Sequence, residues 1–362
     1  MGWVVCRNLT RHVIELHIGN GLHVYEPSYD LRINNLKRLP SLFNLENLNI
    51  SSVDLSNATT WLQASSNFFN CPLPIWLFDL NNLENLKLSD SGIEGVMPRE
   101  AGNVTKLRNL DLAYNKLNST IPKWIYRCKD LESLILFANN IEGVVSNAIS
   151  NLSSITSIDL SRNMLSGKLP NVIGKLSKLR SLDLSGNLFK GEVFELRNSS
   201  SLTELILRNN KLTGTLPESL SQLPMLESID ISNNRLEDVV AESHFTNWTQ
   251  LRNFFASNNN LTLKVSQKWI PPFQAIHIEI AGWNIGPLFP RWLQTQKNIN
   301  SVDISNGGIQ GEVPTWFWNL SSQIELLDLS HNQFVGVVPT ILKESYNWLM
   351  LLGSNNFSGP LP

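Results

Sequence analysis

Aspartate recurs along this chain at a fixed interval, and carboxylates so placed are the first residues to weigh for chemistry. Asp111, Asp159, Asp183, Asp230, Asp303 and Asp328 each stand between two apolar residues, as in Leu110-Asp111-Leu112 and Ile158-Asp159-Leu160. On neighbouring strands Asp159 and Asp183 would lie about 5 Å apart, close enough to draw as an acid–base pair. A like-charge row repeated along a molecule is more simply a solvated face, and catalysis finds no further support. His12 and His17 would point to opposite faces of an extended segment, and His23 adds no pairing to them. His244, His277 and His331 fall on separate repeats. The chain has no glycine-rich phosphate loop, nucleophile elbow or H-E-x-x-H motif. Cys6, Cys71 and Cys128 are too few and too scattered for a disulfide framework or a zinc site. The residues predict no enzyme, no cofactor and no metal.

The elements that position the aspartates are legible in one stretch, Ile155–Pro170. Ile158-x-Leu160 alternates with period two, the signal of a short half-buried strand. Asn163 follows where the strand must turn, and Gly167 and Pro170 are turn and breaker residues. The slot of Asn163 recurs at Asn67, Ser91, Asn115, Asn139, Asn187, Asn210, Asn234, Asn259, Trp283, Gly307, Asn332 and Asn355, at steps of 24 residues with single-residue deviations at four. A period in this range predicts a solenoid, in which each turn buries its apolar face only against its neighbours. The expected fold is an α/β repeat solenoid with a parallel β-sheet. Residues 67–362 form about 13 regular repeats, and residues 1–66 are an irregular start. The asparagine amide can donate to and accept from the backbone of adjacent turns, pairing groups the sheet no longer serves.

With inward residues committed to packing, binding falls to outward positions. Those that break the Ser/Asp pattern are Ile135, Ile206 and Phe255, with Glu279, in the middle of a strand, and Tyr114, Phe137, Arg162, Arg208, Lys211 and Arg235 on the next rows. Exposed aromatics with arginine are the residue types of interface hot spots, so these residues are the candidate ligand-binding face. Trp76, Trp124, Trp292 and Trp316 all stand two residues after the proline slot. Such a row invites a carbohydrate reading, but the shared slot argues for packing between turns.

A composition of 42% hydrophobic and 17% charged residues with net charge −2 argues against a nucleic-acid partner. No run of eighteen apolar residues encodes a membrane helix, and the start lacks the charged and apolar regions of a signal peptide. Against this, Asn-x-Ser/Thr occurs at Asn8, Asn49, Asn57, Asn103, Asn118, Asn151, Asn198, Asn247, Asn260, Asn319 and Asn356. That density suits the secretory pathway. Asn49 would stand mid-sheet, where a glycan obstructs, which leaves the other ten as glycosylation candidates. Asn103, Asn151, Asn198, Asn247 and Asn319 share one place, ahead of the strand.

The repeat resembles the plant-type extracellular leucine-rich repeat, L-x-x-L-x-L-x-x-N-x-L-x-G-x-I-P, which Ile155–Pro170 matches with Ile and Leu interchanging. Trp269-Ile270-Pro271-Pro272-Phe273-Gln274, Gly286–Lys297 and Val313–Ser321 are similar to receptor-like proteins of the fungal-xylanase-receptor and Cf-resistance type. This resemblance implies a horseshoe with a concave parallel sheet and a convex side of 3-10 turns and loops. It implies an immune receptor at the outer side of the plasma membrane, binding a protein, peptide or glycan elicitor on its concave face and signalling through partner receptor kinases. It also implies a paired-cysteine cap, of which Val4–Val13 is a remnant without the partner of Cys6, and C-terminal repeats, a cap and a membrane helix beyond Pro362. The chain is therefore expected to be a truncated piece, attached to a membrane only through a segment it does not contain. Two other readings stay open: a secreted inhibitor of pathogen wall-degrading enzymes, like the polygalacturonase-inhibiting proteins, and a truncated product without function.

Overall fold

In a computed structural model, residues 3–6, 13–17, 45–50, 72–73, 75–100, 102, 104–196, 200–339 and 349–360 are described. The boundary at residues 66 and 67 and the slots at Asn67 and Pro74 lie outside them. The chain folds as an α/β repeat solenoid that divides into two compact units, Met1–Leu188 and Phe189–Pro362.

In the first unit Val13–His17, Asn47–Asn49, Asn85–Lys87, Asn109–Asp111, Ser133–Ile135, Ser157–Asp159 and Ser181–Asp183 form a parallel sheet in sequence order. Trp3–Cys6 adds an antiparallel strand on Val13–His17. Register follows the apolar residue: Ile158 lies opposite Leu134 and Leu182. Each of these three is fully buried, because a period of two sends the centre of each triplet inward and its flanks outward. The second unit repeats the plan with Glu204–Ile206, Ser228–Asp230, Asn253–Phe255, His277–Glu279, Ser301–Asp303, Leu326–Asp328 and Leu349–Leu351.

The return paths of several turns carry short 3-10 helices, such as Ile125–Arg127 and Asn171–Lys175 in the first unit and Glu218–Gln222 and Arg291–Thr295 in the second. Thr315–Ser321 is α-helical. Trp124 is buried there, and its Nε1 donates to the Pro98 carbonyl at 3.0 Å. Trp292 is buried and Trp316 half-buried, so packing accounts for the described members of the row; the side chain of Trp76 lies outside the description.

The asparagine slot performs the expected pairing. Asn163 Nδ2 donates to the carbonyls of Leu136 (2.9 Å), Leu160 (3.1 Å) and Ser161 (3.1 Å), and its Oδ1 accepts from Ile141 N at 2.9 Å. The exceptions reach the same end by other means. Ser91 Oγ donates to the Ile50 carbonyl at 2.7 Å, and Trp283 Nε1 to the Ala256 carbonyl at 2.8 Å. Gly307 has no side chain, and its own carbonyl accepts from Ile285 N and Gly286 N, each at 2.9 Å.

One element has no counterpart in the sequence reading. After the asparagine the chain forms a second set of short parallel strands, in three sheets among the described residues, as in Glu142–Gly143 with Met164–Gly167, and Arg235–Ala241 with Asn260–Lys264. Gly167 therefore belongs to a strand rather than to a turn. It is glycine because its φ is +84°, and because a Cβ would stand 2.9 Å from Val144 Cγ1 of the preceding turn.

Candidate functional site

The outward face of each sheet presents the third residue of each triplet, the one that stands between two apolar positions, in a straight middle row. In the first unit the row runs Asn49, Lys87, Asp111, Ile135, Asp159 and Asp183, each opposite the next. Ile135 therefore sits half-buried between two carboxylates. Asp159 Oδ1 accepts from Ser161 N at 3.0 Å and Ser161 Oγ at 2.5 Å. Burial raises the Asp159 carboxyl above its ordinary pKa, with Asp183 and Asp111 adding to the rise against those hydrogen bonds. No ion pair to Asp111, Asp159 or Asp183 is found among the described residues.

Beside that row, three predicted residues from three successive turns come together. The rings of Tyr114 and Phe137 meet edge to face with centroids 4.7 Å apart and planes at 82°. Arg162 caps the same Phe137 ring, its Cζ 5.5 Å from the centroid. Tyr114 and Arg162 hold left-handed backbones, with φ of 52° and 50°. In other turns the same position is mostly Asp, Asn or Gly, as at Asp90, Gly186, Asn209, Asn233, Asn258 and Asn306, residue types that adopt this region most readily. The left-handed backbone is a property of this repeat position rather than of the cluster, since Ala138, His331 and Ser354 hold it in their turns as well. Tyr114 is 57% exposed.

The second unit arranges its candidates differently. Its middle row is Ile206, Asp230, Phe255, Glu279, Asp303, Asp328 and Leu351. Arg208 Nε lies 3.6 Å from Asp230 Oδ2, an ion pair across neighbouring turns. Phe255 stacks on His277 at 5.9 Å. Burial raises the pKa values of Glu279 and Asp303, and neighbouring carboxylates add to both: Asp303 and Asp230 on Glu279, and Asp328 on Asp303. Lys211 and Arg235 do not join this face. Each is the exposed first residue of a second-sheet strand, Lys211–Gly214 and Arg235–Ala241, because the chain turns at the preceding buried asparagine.

Of the sequons ahead of strands, Asn151 ends the 3-10 helix Asn147–Asn151, Asn247 follows Glu242–Phe245 and Asn319 lies in Thr315–Ser321, all exposed. Asn118, Asn260 and Asn356 are exposed in or beside the short strands that follow the asparagine slot, in three separate sheets. Asn8, Asn57, Asn103 and Asn198 lie outside the described residues. Asn49 occupies the middle outward row, as its spacing predicts. Cys128 is buried and free, and burial pushes its thiol up to about 11, which suits packing rather than reaction.

A family model described as leucine rich repeat matches residues 81–141, 129–189 and 200–261, and a second leucine-rich-repeat model matches 323–344, together over half of the chain. Receptor-like protein EIX1 of Solanum lycopersicum is 40% identical over 128 residues, which cover 35% of this chain and 12% of that protein. Receptor-like protein EIX2 of the same plant is 41% identical over 124 residues, covering 34% and 12%. The match thus spans about one eighth of the length of these relatives. Among solved structures, the ectodomain of the Arabidopsis receptor kinase HAESA in complex with an N-terminally extended IDA peptide hormone superposes with a TM-score of 0.69 at 26% identity, over 92% of this chain and 62% of that one. HAESA with IDA and the co-receptor SERK1 gives 0.64 at 27% identity, over 90% and 52%. No helix among the described residues is long and apolar enough to cross a membrane.

Proposed function

The chain belongs to the leucine-rich repeat family, with plant receptor-like proteins among its relatives, and on that basis we propose that it is a ligand-recognition piece of a cell-surface immune receptor. It binds a microbial protein or peptide elicitor on the outward sheet face and signals through partner receptor kinases. The observation that carries this reading is the Tyr114–Phe137–Arg162 cluster. Three residues of hot-spot type converge from separate turns. Two structures of one neighbour of the fold, the receptor kinase HAESA, hold it in complex with a peptide hormone, one of them also with a co-receptor, which supports the peptide and co-receptor part. Glycans at Asn151, Asn247 and Asn319 would occupy the helical side and leave the sheet face clear.

The test is binding of a fungal xylanase and a panel of synthetic microbial peptides to the chain, followed by Phe137→Ala and Arg208→Glu. Loss of about tenfold or more in Phe137→Ala, from a ring that makes both contacts, supports the first-unit face. Unchanged affinity in both variants places recognition elsewhere. Inhibition of a polygalacturonase without elicitor binding would favour the secreted-inhibitor reading.

A further inference from the structure

Three outward carboxylates of the first unit commit one oxygen to their own turn and leave the other free. Asp111 Oδ1 accepts from Ala113 N at 3.1 Å, Asp159 Oδ1 from Ser161 N at 3.0 Å and Asp183 Oδ1 from Ser185 N at 2.8 Å. Among the described residues no donor reaches the Oδ2 of any of the three. Lys87 stands beside Asp111 in the row. Asp159 and Asp183 lie opposite each other, and neither has a cation next to it there. Arg162, three residues after Asp159, lies over the Phe137 ring instead. Two half-buried like charges about 5 Å apart repel, and burial together with the Asp183 charge raises the Asp159 pKa. A single cation shared by the two free oxygens relieves both.

The neighbouring place in the row is apolar. Ile135 lies opposite Asp159, and Phe137 follows it on the same side, across the buried Leu136. The exposed Tyr114 packs on Phe137. The solenoid does not need Ile135 for its own core, since Leu134 and Leu136 fill it with no exposure. An apolar step thus adjoins an acidic pair on one outward face, and the spacing says what fits both. Neighbouring strands are about 4.8 Å apart, so a cation between Asp159 and Asp183 sits ~7 Å along the row from Ile135. Alternate side chains of an extended peptide point the same way and are ~6.8 Å apart.

We propose that this face takes an extended peptide segment in which an apolar residue and a lysine or arginine stand two residues apart. The apolar side chain lies on Ile135 and Phe137, and the cation lies between Asp159 and Asp183. The proposal rests on the receptor reading of the sheet face and names the chemistry of its ligand.

The experiment titrates the whole chain with capped peptides and follows the δ1-methyl resonance of Ile135, assigned as the one lost in Ile135→Val. The probe peptide is Gly-Ser-Leu-Ser-Lys-Ser-Gly. Its controls carry Glu for Lys, Ser for Leu, or a second Ser between Leu and Lys. The probe should give a saturable shift, and each control should bind more weakly, by about tenfold for the first two. Asp159→Asn with Asp183→Asn should weaken the probe by about tenfold and flatten its salt dependence, and Asp111→Asn should leave it near wild type. No shift up to about 5 mM probe, equal binding of the Glu or the wider-spaced peptide, or full affinity in the double variant overturns the proposal. Elicitor binding that is lost in Phe137→Ala and kept in the double variant overturns this motif alone. Motif binding by a chain that takes up no elicitor counts against the receptor reading instead.

Discussion

The two sheet faces carry the same backbone and a similar row of carboxylates, and they differ in what their arginines and aromatics engage. In the first unit, Arg162 is engaged by the Phe137 ring, and no ion pair to Asp111, Asp159 or Asp183 is found among the described residues. In the second, Arg208 reaches Asp230 and the aromatic Phe255 leans on His277. One scaffold therefore does not dictate one face. Once the asparagines have paired the turn backbones, the outward rows are free to vary, and carboxylates without an ion pair among the described residues, Asp111, Asp159 and Asp183 in the first unit and Glu279, Asp303 and Asp328 in the second, are open to a ligand that brings the opposite sign.

The largest perturbation of that comparison is to remove the scaffold beneath the first face. Asn163→Leu leaves three carbonyls and one N–H without their side-chain partner, at about 1–3 kcal/mol for each group that stays unpaired. Denaturant unfolding should show the loss. Stability within a few tenths of wild type would mean that water or shifted backbone replaces the amide.

A smaller effect is expected when the aromatic centre is removed. Phe137→Ala loses one edge-to-face and one cation–ring contact, about 1–2 kcal/mol together, and frees Tyr114 and Arg162. A double-mutant cycle with Arg162→Ala should show coupling, and additive losses would mean that the guanidinium does not act through the ring.

Arg208→Ala should destabilise the second unit by less than about 1 kcal/mol, since the Arg208 side chain is 48% exposed while that of Asp230 is 10% exposed. The effect should shrink in high salt, and a salt-independent loss would assign it to packing instead.

Asp159→Asn has the smallest effect and the opposite sign. The folded-state pKa of Asp159 lies above its ordinary 3.8, so the native state binds the proton more tightly than the unfolded one. The charged form therefore costs stability once the pH rises above the folded value, and the cost vanishes below the ordinary one. The amide introduced by Asp159→Asn keeps an oxygen for Ser161, so the variant should be more stable at neutral pH by a few tenths to about 1 kcal/mol. Below pH ~3.5 the substitution should leave stability unchanged. Destabilisation at neutral pH would show that the charge strengthens the Ser161 bonds by more than burial costs it.

The period, the strands and the inward residues were all written in the order of the amino acids. A turn that buries its face only against its neighbours must repeat its apolar spacing, and spacing is a one-dimensional property. The same spacing identified the rows from which Tyr114, Phe137 and Arg162 project. Which residues on those rows meet was settled in three dimensions, because contact depends on side-chain reach across turns about 24 residues apart. Hence Arg162 on Phe137 and Arg208 on Asp230 could not be told apart in advance, and Lys211 and Arg235 fell in a second sheet. Trp292 was least legible: it shares residue type and slot with Trp124, whose indole donates to the carbonyl 26 residues earlier, yet its own buried Nε1 has no hydrogen-bond partner among the described residues. Only the fold shows that the carbonyl it should meet has turned to Trp269.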